Sequence, residues 1–330
     1  MKRLEVRNLE VKYPTPSGTV AAVNDVSLEV DAGETLGLVG ESGCGKSSLG
    51  KAIMRLVPLT AGQILCEGVD ISTLSRRQMI PYRARMQMVF QDPGGSLNPR
   101  QTVGKIVGRP LDLAGWGRTA RRQRVQELMQ RVGLPADAVN RYPHEFSGGQ
   151  RQRIGIARAM ALNPGTIICD EPVSALDVSV RAQVINLLRD IQAELGISYV
   201  FISHDLGVVR HMSDRVVVMY LGRVVESGPT EALWNTPAHP YTRALLDSAP
   251  VADPAARKEG RVHLLEGELP SPLRPPPGCT FHNRCSRCQP RCMTDEPALR
   301  DLPDGRRVAC HYDLLATDDA NRNAVAAAAV

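Results

Sequence analysis

The stretch Gly40-Glu41-Ser42-Gly43-Cys44-Gly45-Lys46-Ser47 constrains this 330-residue chain more than any other. Its spacing is G-x-x-x-x-G-K-S, with the apolar run Thr35-Leu36-Gly37-Leu38-Val39 before it and Leu49, Ile53 and Leu56 at helical spacing after it. A buried strand, a glycine loop and a helix start, in that order, turn backbone N–H groups toward an anion. The pattern predicts a nucleoside-triphosphate site. Lys46 is expected to reach the outer phosphates and the Ser47 hydroxyl to hold Mg²⁺, with Ser48 continuing the loop into its helix. Cys44 reads as a small filler of the loop.

The bulk numbers leave room for this and exclude little. Hydrophobic residues make up 43% of the chain, enough for a sizeable core. Aromatics are only 4%, which argues against a base-stacking nucleic-acid platform, and the net charge of +5 is mild. No apolar run reaches membrane-spanning length, and Met1-Lys2-Arg3-Leu4-Glu5 does not resemble a signal peptide. A cytosolic chain is expected, with any membrane role peripheral and Ala324 to Val330 a frayed tail.

Along the chain, residues 3–9 and Val23 to Val30 alternate as half-exposed strands, separated by a turn-rich stretch holding Tyr13-Pro14. Short strands follow at Gly62 to Cys66 and Met86 to Phe90, the latter delivering Gln91. Residues 92–160 then read as a helical insertion. In it Thr119 is the expected cap of a helix with Val125, Leu128, Met129 and Val132 on one face. Arg121, Arg122, Arg124 and Arg131 share its polar side and read as a solvated face. Strand–helix alternation resumes at Thr166-Ile167-Ile168-Cys169. A helix follows with Val180, Val184, Leu187, Leu188, Ile191 and Leu195 on one face, stopped by Gly196. Tyr199 to Ile202 is the next strand, and Arg215 to Tyr220 with Arg223 to Glu226 a hairpin turned at Leu221-Gly222. This is an α/β core. Beyond Pro250 the composition turns Pro- and Cys-rich, which predicts a boundary between residues 1–250 and 251–330.

Chemistry gathers at the predicted strand ends. Asp170-Glu171 gives two carboxylates that can divide labour, Asp170 fixing Mg²⁺ and Glu171 polarising an attacking water. Gly40, Gln91, Asp170 and His204 all fall at the carboxyl ends of strands, where open α/β sheets bind ligands. Ser147-Gly148-Gly149-Gln150 opens a helix and presents unpaired N–H groups to an anion. Its distance in sequence from the phosphate loop suggests an anion on a second molecule.

Phe146 to Gln150 resembles the signature motif of ABC-type ATPases, with Phe in place of the usual Leu. The other motifs then match that family in order. Tyr13 matches the aromatic that stacks on adenine, Gln91 the Q-loop, Ser174-Ala175-Leu176-Asp177 the D-loop and His204 the switch histidine. The resemblance covers residues 1 to about 250. It implies a P-loop (RecA-like) nucleotide-binding domain with an antiparallel β-subdomain, and head-to-tail dimers that sandwich ATP between one subunit's phosphate loop and the other's signature motif. A narrower resemblance spans nearly the whole chain. Asn140 to Phe146, Asp170 to Val178 and His239-Pro240-Tyr241-Thr242 look like the oligopeptide/dipeptide importer ATPases, and Pro172-Val173-Ser174 with Ser96 to Arg100 like their F-type subunit. This implies a D-type ATPase partner, two membrane permeases, an extracytoplasmic peptide-binding protein and a place on the cytoplasmic face of the membrane. Relatives carrying nickel or glutathione keep those cargoes open. A soluble ABC ATPase acting on ribosomes or DNA is the rival, and it is expected to carry tandem cassettes or a long coiled-coil insertion, neither of which is in this sequence.

Five of the eight cysteines, Cys279, Cys285, Cys288, Cys292 and Cys310, crowd the last part of the chain. In a cytosolic chain such crowding favours metal over disulfides. The family resemblance implies a [4Fe–4S] cluster on Cys279, Cys285, Cys292 and Cys310, with zinc or unmetallated thiols as alternatives and Cys288 as an extra thiol between ligands.

Overall fold

The computed structural model describes residues 1–248 and 269–315. The proposed boundary near residue 250 and the Ala324 to Val330 tail lie outside the described residues.

Two sheets form the frame. The first is antiparallel and contains β1 (Lys2–Thr15), β2 (Gly18–Asp31), β4 (Ala61–Cys66) and β5 (Val69–Asp70), in the order β2-β1-β4-β5. The second has eight strands: β3 (Thr35–Val39), β6 (Met86–Val89), β7 (Thr166–Asp170), β8 (Ser198–Ile202), β9 (Arg215–Tyr220), β10 (Arg223–Pro229), β11 (Arg300–Asp301) and β12 (Arg307–Val308). Their order is β11-β12-β10-β9-β3-β8-β7-β6. From β9 to β6 every pairing is parallel, and from β9 to β11 every pairing is antiparallel. The central strands β3, β7 and β8 are buried along their whole length, as a parallel sheet covered on both faces requires.

One face of the larger sheet packs on the helical insertion and on the helix Val178–Leu195. The other packs, through the helix Lys46–Ile53, on the antiparallel sheet. Gly50 of that helix is needed for the fit, because a Cβ there would stand 2.9 Å from Ile202 Cδ1. The family's mixed α/β architecture is therefore present, with the phosphate loop leaving β3 between β9 and β8 in the parallel sheet.

Several expectations need correction. The turn expected over Tyr13-Pro14 and Pro16-Ser17-Gly18 is confined to Pro16-Ser17: β1 continues through Tyr13-Pro14 to Thr15, which pairs with Gly18 of β2. Pro14 is tolerated because β4 pairs with β1 only as far as Glu10, so no neighbour there asks for its missing N–H. Thr119 does not cap its helix. That helix is Arg118–Arg131 with Gly117 at the N-cap, while Val125, Leu128, Met129 and Val132 are buried as expected. Leu56 lies past the end of the Lys46–Ile53 helix and is exposed, as is Leu195 at the end of the Val178–Leu195 helix. Gly196 does stop the latter, at φ 64°. Arg121, Arg124 and Arg131 are not simply solvated: they pair with Asp112, the carbonyls of Met160 and Ala161, and Glu194.

The C-terminal segment does not form a sheet of its own. Its strand β12 adds to β10, pairing Glu226 with Val308 and Ser227 with Arg307. Beneath that pairing Glu226 is fully buried, accepts the N–H groups of Ala238 and His239 at 2.8 Å each, and lies 3.7 Å from the buried Arg306 guanidinium. Burial pushes the Glu226 carboxyl up despite these partners.

Candidate functional site

The loop after β3 folds back on itself as its glycines allow. Gly40, Gly43 and Gly45 all hold positive φ, and a Cβ at Gly45 would stand 2.0 Å from the Ala22 carbonyl oxygen. Lys46 is buried and its ammonium donates to the carbonyl oxygens of Gly40 at 2.7 Å and Glu41 at 2.9 Å. Cys44 is buried beneath the loop, its thiol pushed up by desolvation, which fits a filler. The hairpin turn Leu221-Gly222 closes the loop from the side, with Gly222 donating its N–H to the Cys44 carbonyl at 2.9 Å.

Beside the loop is a cavity of about 210 Å³ lined by Ser42, Lys46, Ser47, Ser48, Gln91 and Glu171, among others. Four strand ends supply its chemistry. The Ser47 hydroxyl donates to Asp170 Oδ1 at 2.7 Å, joining β3's loop to the end of β7. Asp170 is buried, and desolvation raises its carboxyl despite that bond. Next in sequence, Glu171 holds a left-handed backbone at φ 45° and places its carboxylate in the cavity. A non-glycine residue in that region costs of order 1–3 kcal/mol and persists only where its surroundings fix it. Here they do: the Glu171 N–H donates to the Ile202 carbonyl, and the Ser174 hydroxyl donates to the Glu171 carbonyl. Gln91 Nε2 donates to Glu171 Oε2 at 2.9 Å, and His204 Nδ1 lies 3.3 Å from the same oxygen. Gln91, Asp170, Glu171 and His204, distant in sequence, are thus gathered around Ser47 and Lys46. A hydroxyl beside a buried carboxylate oxygen is the hard donor set that Mg²⁺ takes.

Other expected residues stand elsewhere. Tyr13 does not line this cavity; it pairs across the β1–β2 ladder with Val20, which does. Ser147 caps the helix Gly148–Ala159 reciprocally with Gln150, so the motif is a true capping box. None of Ser147 to Gln150 lines the cavity. Asp177 caps the helix Val178–Leu195 by accepting the Val180 N–H at 2.9 Å. These two helix starts lie against each other: a Cβ on Gly149 would stand 2.2 Å from Val180 Cγ1. Gly149→Ala is therefore expected to destabilise the fold by about 1–3 kcal/mol through overpacking, and adding Val180→Ala is expected to recover most of it. Urea unfolding of the two variants measures both numbers.

The cysteines divide as follows. Cys279, Cys285, Cys292 and Cys310 line one small cavity beside His239 and Phe281, and Cys288 is not part of its lining. Burial pushes the Cys285 thiol up to about 11 and Cys310 up to about 12. The four are brought together without being drawn to ligand distance: among the described residues no group of three or more His, Cys, Asp or Glu side chains stands ready to hold a metal.

Sequence reasoning missed the contacts between this C-terminal segment and the cavity beside the loop. Pro272 lines the cavity, and Arg284 pairs with Glu41 of the phosphate loop. The only signal was the position of Arg284 beside Cys285.

Known proteins share this arrangement. A family profile described as "ABC transporter" matches residues 23–174, and one described as "Oligopeptide/dipeptide transporter, C-terminal region" matches residues 225–292. The chain is 53% identical over 317 residues to a Sinorhizobium fredii protein named a probable peptide ABC transporter ATP-binding protein, y4tS, covering 93% of this chain and 89% of that one. It is 51% identical over 321 residues to the oligopeptide transport ATP-binding protein AppF of Bacillus subtilis, covering 93% and 96%. Among solved structures, the dimeric ATP-binding cassette MJ0796 bound to ADP and Pi superposes with a TM-score of 0.64 at 28% identity, covering 69% of this chain and 98% of that one. A phosphate loop, a buried Asp170 bonded to Ser47 and a gathered Gln91, Glu171 and His204, on a chain this similar to transport ATPases, leave one conclusion: the chain belongs to the ATP-binding subunits of ABC transporters, the branch with the oligopeptide/dipeptide C-terminal region.

Proposed function

We propose that this chain binds and hydrolyses MgATP to power import of oligopeptides or dipeptides. The observation that carries the reading is the Glu171 carboxylate, held by Gln91 beside His204 and one residue from the Asp170–Ser47 pair. In this reading the backbone N–H groups of residues 40–48, apart from those of Glu41 and Cys44, which are bonded within the protein, take the phosphates together with the Lys46 ammonium. Ser47, Asp170 and Gln91 would hold Mg²⁺, which when bound would supply positive charge against the phosphoryl oxygens. Glu171 takes a proton from the attacking water, and His204 keeps its carboxylate turned into the site. Tyr13 stacks on the base from the strand facing Val20. Ser147, Gly148, Gly149 and Gln150, displayed away from this cavity, meet the nucleotide of a second subunit, with Asp177 at the same junction.

The partners follow from the family. Transport requires membrane permeases; we assign two, together with a D-type ATPase and an extracytoplasmic peptide-binding protein, this chain being the F-type subunit at the cytoplasmic face. Among the described residues no helix is long and apolar enough to cross a membrane. Four thiols sharing one cavity support a thiolate-bound metal on Cys279, Cys285, Cys292 and Cys310, a [4Fe–4S] cluster or zinc.

Cells lacking the chain, with and without it resupplied, test the cargo. Resupply is expected to restore uptake of labelled di- to pentapeptides, competed by unlabelled peptide. Restoration of nickel or glutathione uptake in place of peptide uptake moves the cargo assignment to that solute.

A further inference from the structure

Glu41 puts a carboxylate into a loop whose task is to hold anions, and an unpaired charge there opposes each incoming phosphate. The fold neutralises it from the far end of the chain. Arg284 lies between Cys279 and Cys285 and donates to both carboxylate oxygens of Glu41, at 2.6 and 3.0 Å. Its side chain is only 5% exposed, against 25% for Glu41. Such a fork-to-fork pair fixes direction as well as charge, which a lysine could not do.

The same residue is held a second time. The Glu41 backbone N–H donates to the Tyr241 hydroxyl at 2.9 Å, so that donor points away from any ligand. Tyr241 is buried and packs edge-on against Tyr220 and Phe281, with ring centroids 4.7 and 5.3 Å apart. Phe281 shares its segment with Arg284 and lines the thiol cavity, as does Cys285. The His239-Pro240-Tyr241-Thr242 motif thereby acquires a role: buried His239 accepts the Tyr241 N–H on Nδ1 at 3.0 Å and sets the start of the helix that aims this ring.

We propose that Arg284 is a positioning residue for nucleotide binding. It masks the Glu41 charge and, with Tyr241, braces the phosphate loop, which makes the Cys-rich segment a working part of the ATP site. The inference rests on the ATPase reading above. The test uses the full-length protein and four forms: wild type, Arg284→Met, Glu41→Gln and the double variant. Affinity is read with a fluorescent ATP analogue plus Mg²⁺, with KM and kcat for hydrolysis and thermal unfolding without nucleotide beside it. Arg284→Met is expected to weaken affinity and raise KM by about 10–100-fold with kcat changed far less, because an unpaired carboxylate then stands one residue from Ser42, which lines the cavity. Adding Glu41→Gln is expected to return affinity to within about threefold of wild type, since the charge needing Arg284 is gone. A purely structural arginine would lower the unfolding temperature with no rescue by Glu41→Gln. That result, or unchanged affinity in Arg284→Met, overturns the proposal. Wild type failing to bind MgATP would instead sink the ATPase reading itself.

Discussion

Glu171→Gln is expected to leave MgATP bound and to slow its hydrolysis by about 10²–10⁴-fold, the range a general base supplies. The substitution keeps the shape of the side chain and removes only its basicity. Glu171 Oε2 accepts from Gln91 at 2.9 Å and faces His204 at 3.3 Å, so an amide can keep a contact with each. The strained backbone at φ 45° is held by the Ile202 and Ser174 bonds, which involve main-chain atoms and survive the change. Folding is therefore expected to be untouched. The measurement is steady-state ATPase beside equilibrium binding of a fluorescent ATP analogue. Hydrolysis within about threefold of wild type would remove Glu171 from the role of base.

Lys46→Ala is expected to act earlier, on binding. Lys46 is the single cation of the phosphate loop, and its ammonium already sits on the Gly40 and Glu41 carbonyls at 2.7 and 2.9 Å. A phosphate oxygen taking those N–H donors gains about 4 kcal/mol at 4 Å and an effective dielectric near 20, on the order of a thousandfold in affinity. Titration calorimetry with MgATP, on protein whose circular dichroism matches wild type, reads that loss directly. Wild-type affinity in Lys46→Ala would show that backbone N–H groups alone hold the nucleotide.

The proposed nucleotide site is legible in the sequence because its central motif is local. Phosphate loops are local: strand, glycines, lysine and helix follow one another, and each residue's role depends on its neighbours. Asp170, Glu171, Gln91 and His204 were readable for a different reason, since each ends a strand and a parallel sheet brings such ends to one edge. Contacts that join distant segments without a repeating pattern left no such trace. β11 and β12 are two residues each, too short for any period, and they exist because β10 offers an open edge. Arg284 is separated from Glu41 by 243 positions, and nothing in either neighbourhood announces the other. Tyr13 illustrates the opposite error. Its neighbour Pro14 reads locally as a turn, whereas the edge of the β1–β2 ladder accommodates it.

The C-terminal segment consequently reads in two ways. Its composition marks a change of character after Pro250, yet its strands, its buried Arg306 and its Arg284 are fastened to the ATPase core. The alignments to the two relatives cover 93% of the chain, so they extend over most of this segment. Its Pro272 lines the cavity beside the phosphate loop, and its Arg284 pairs with Glu41 of that loop.

The central claim is that hydrolysis at Glu171 drives uptake of peptides. Uptake of labelled di- to pentapeptides in cells carrying Glu171→Gln in place of the native chain, at matched protein abundance, tests it most directly. Loss of uptake is the result this account predicts. Uptake at the native rate would contradict it, since peptides would then be entering without this chain's ATP hydrolysis.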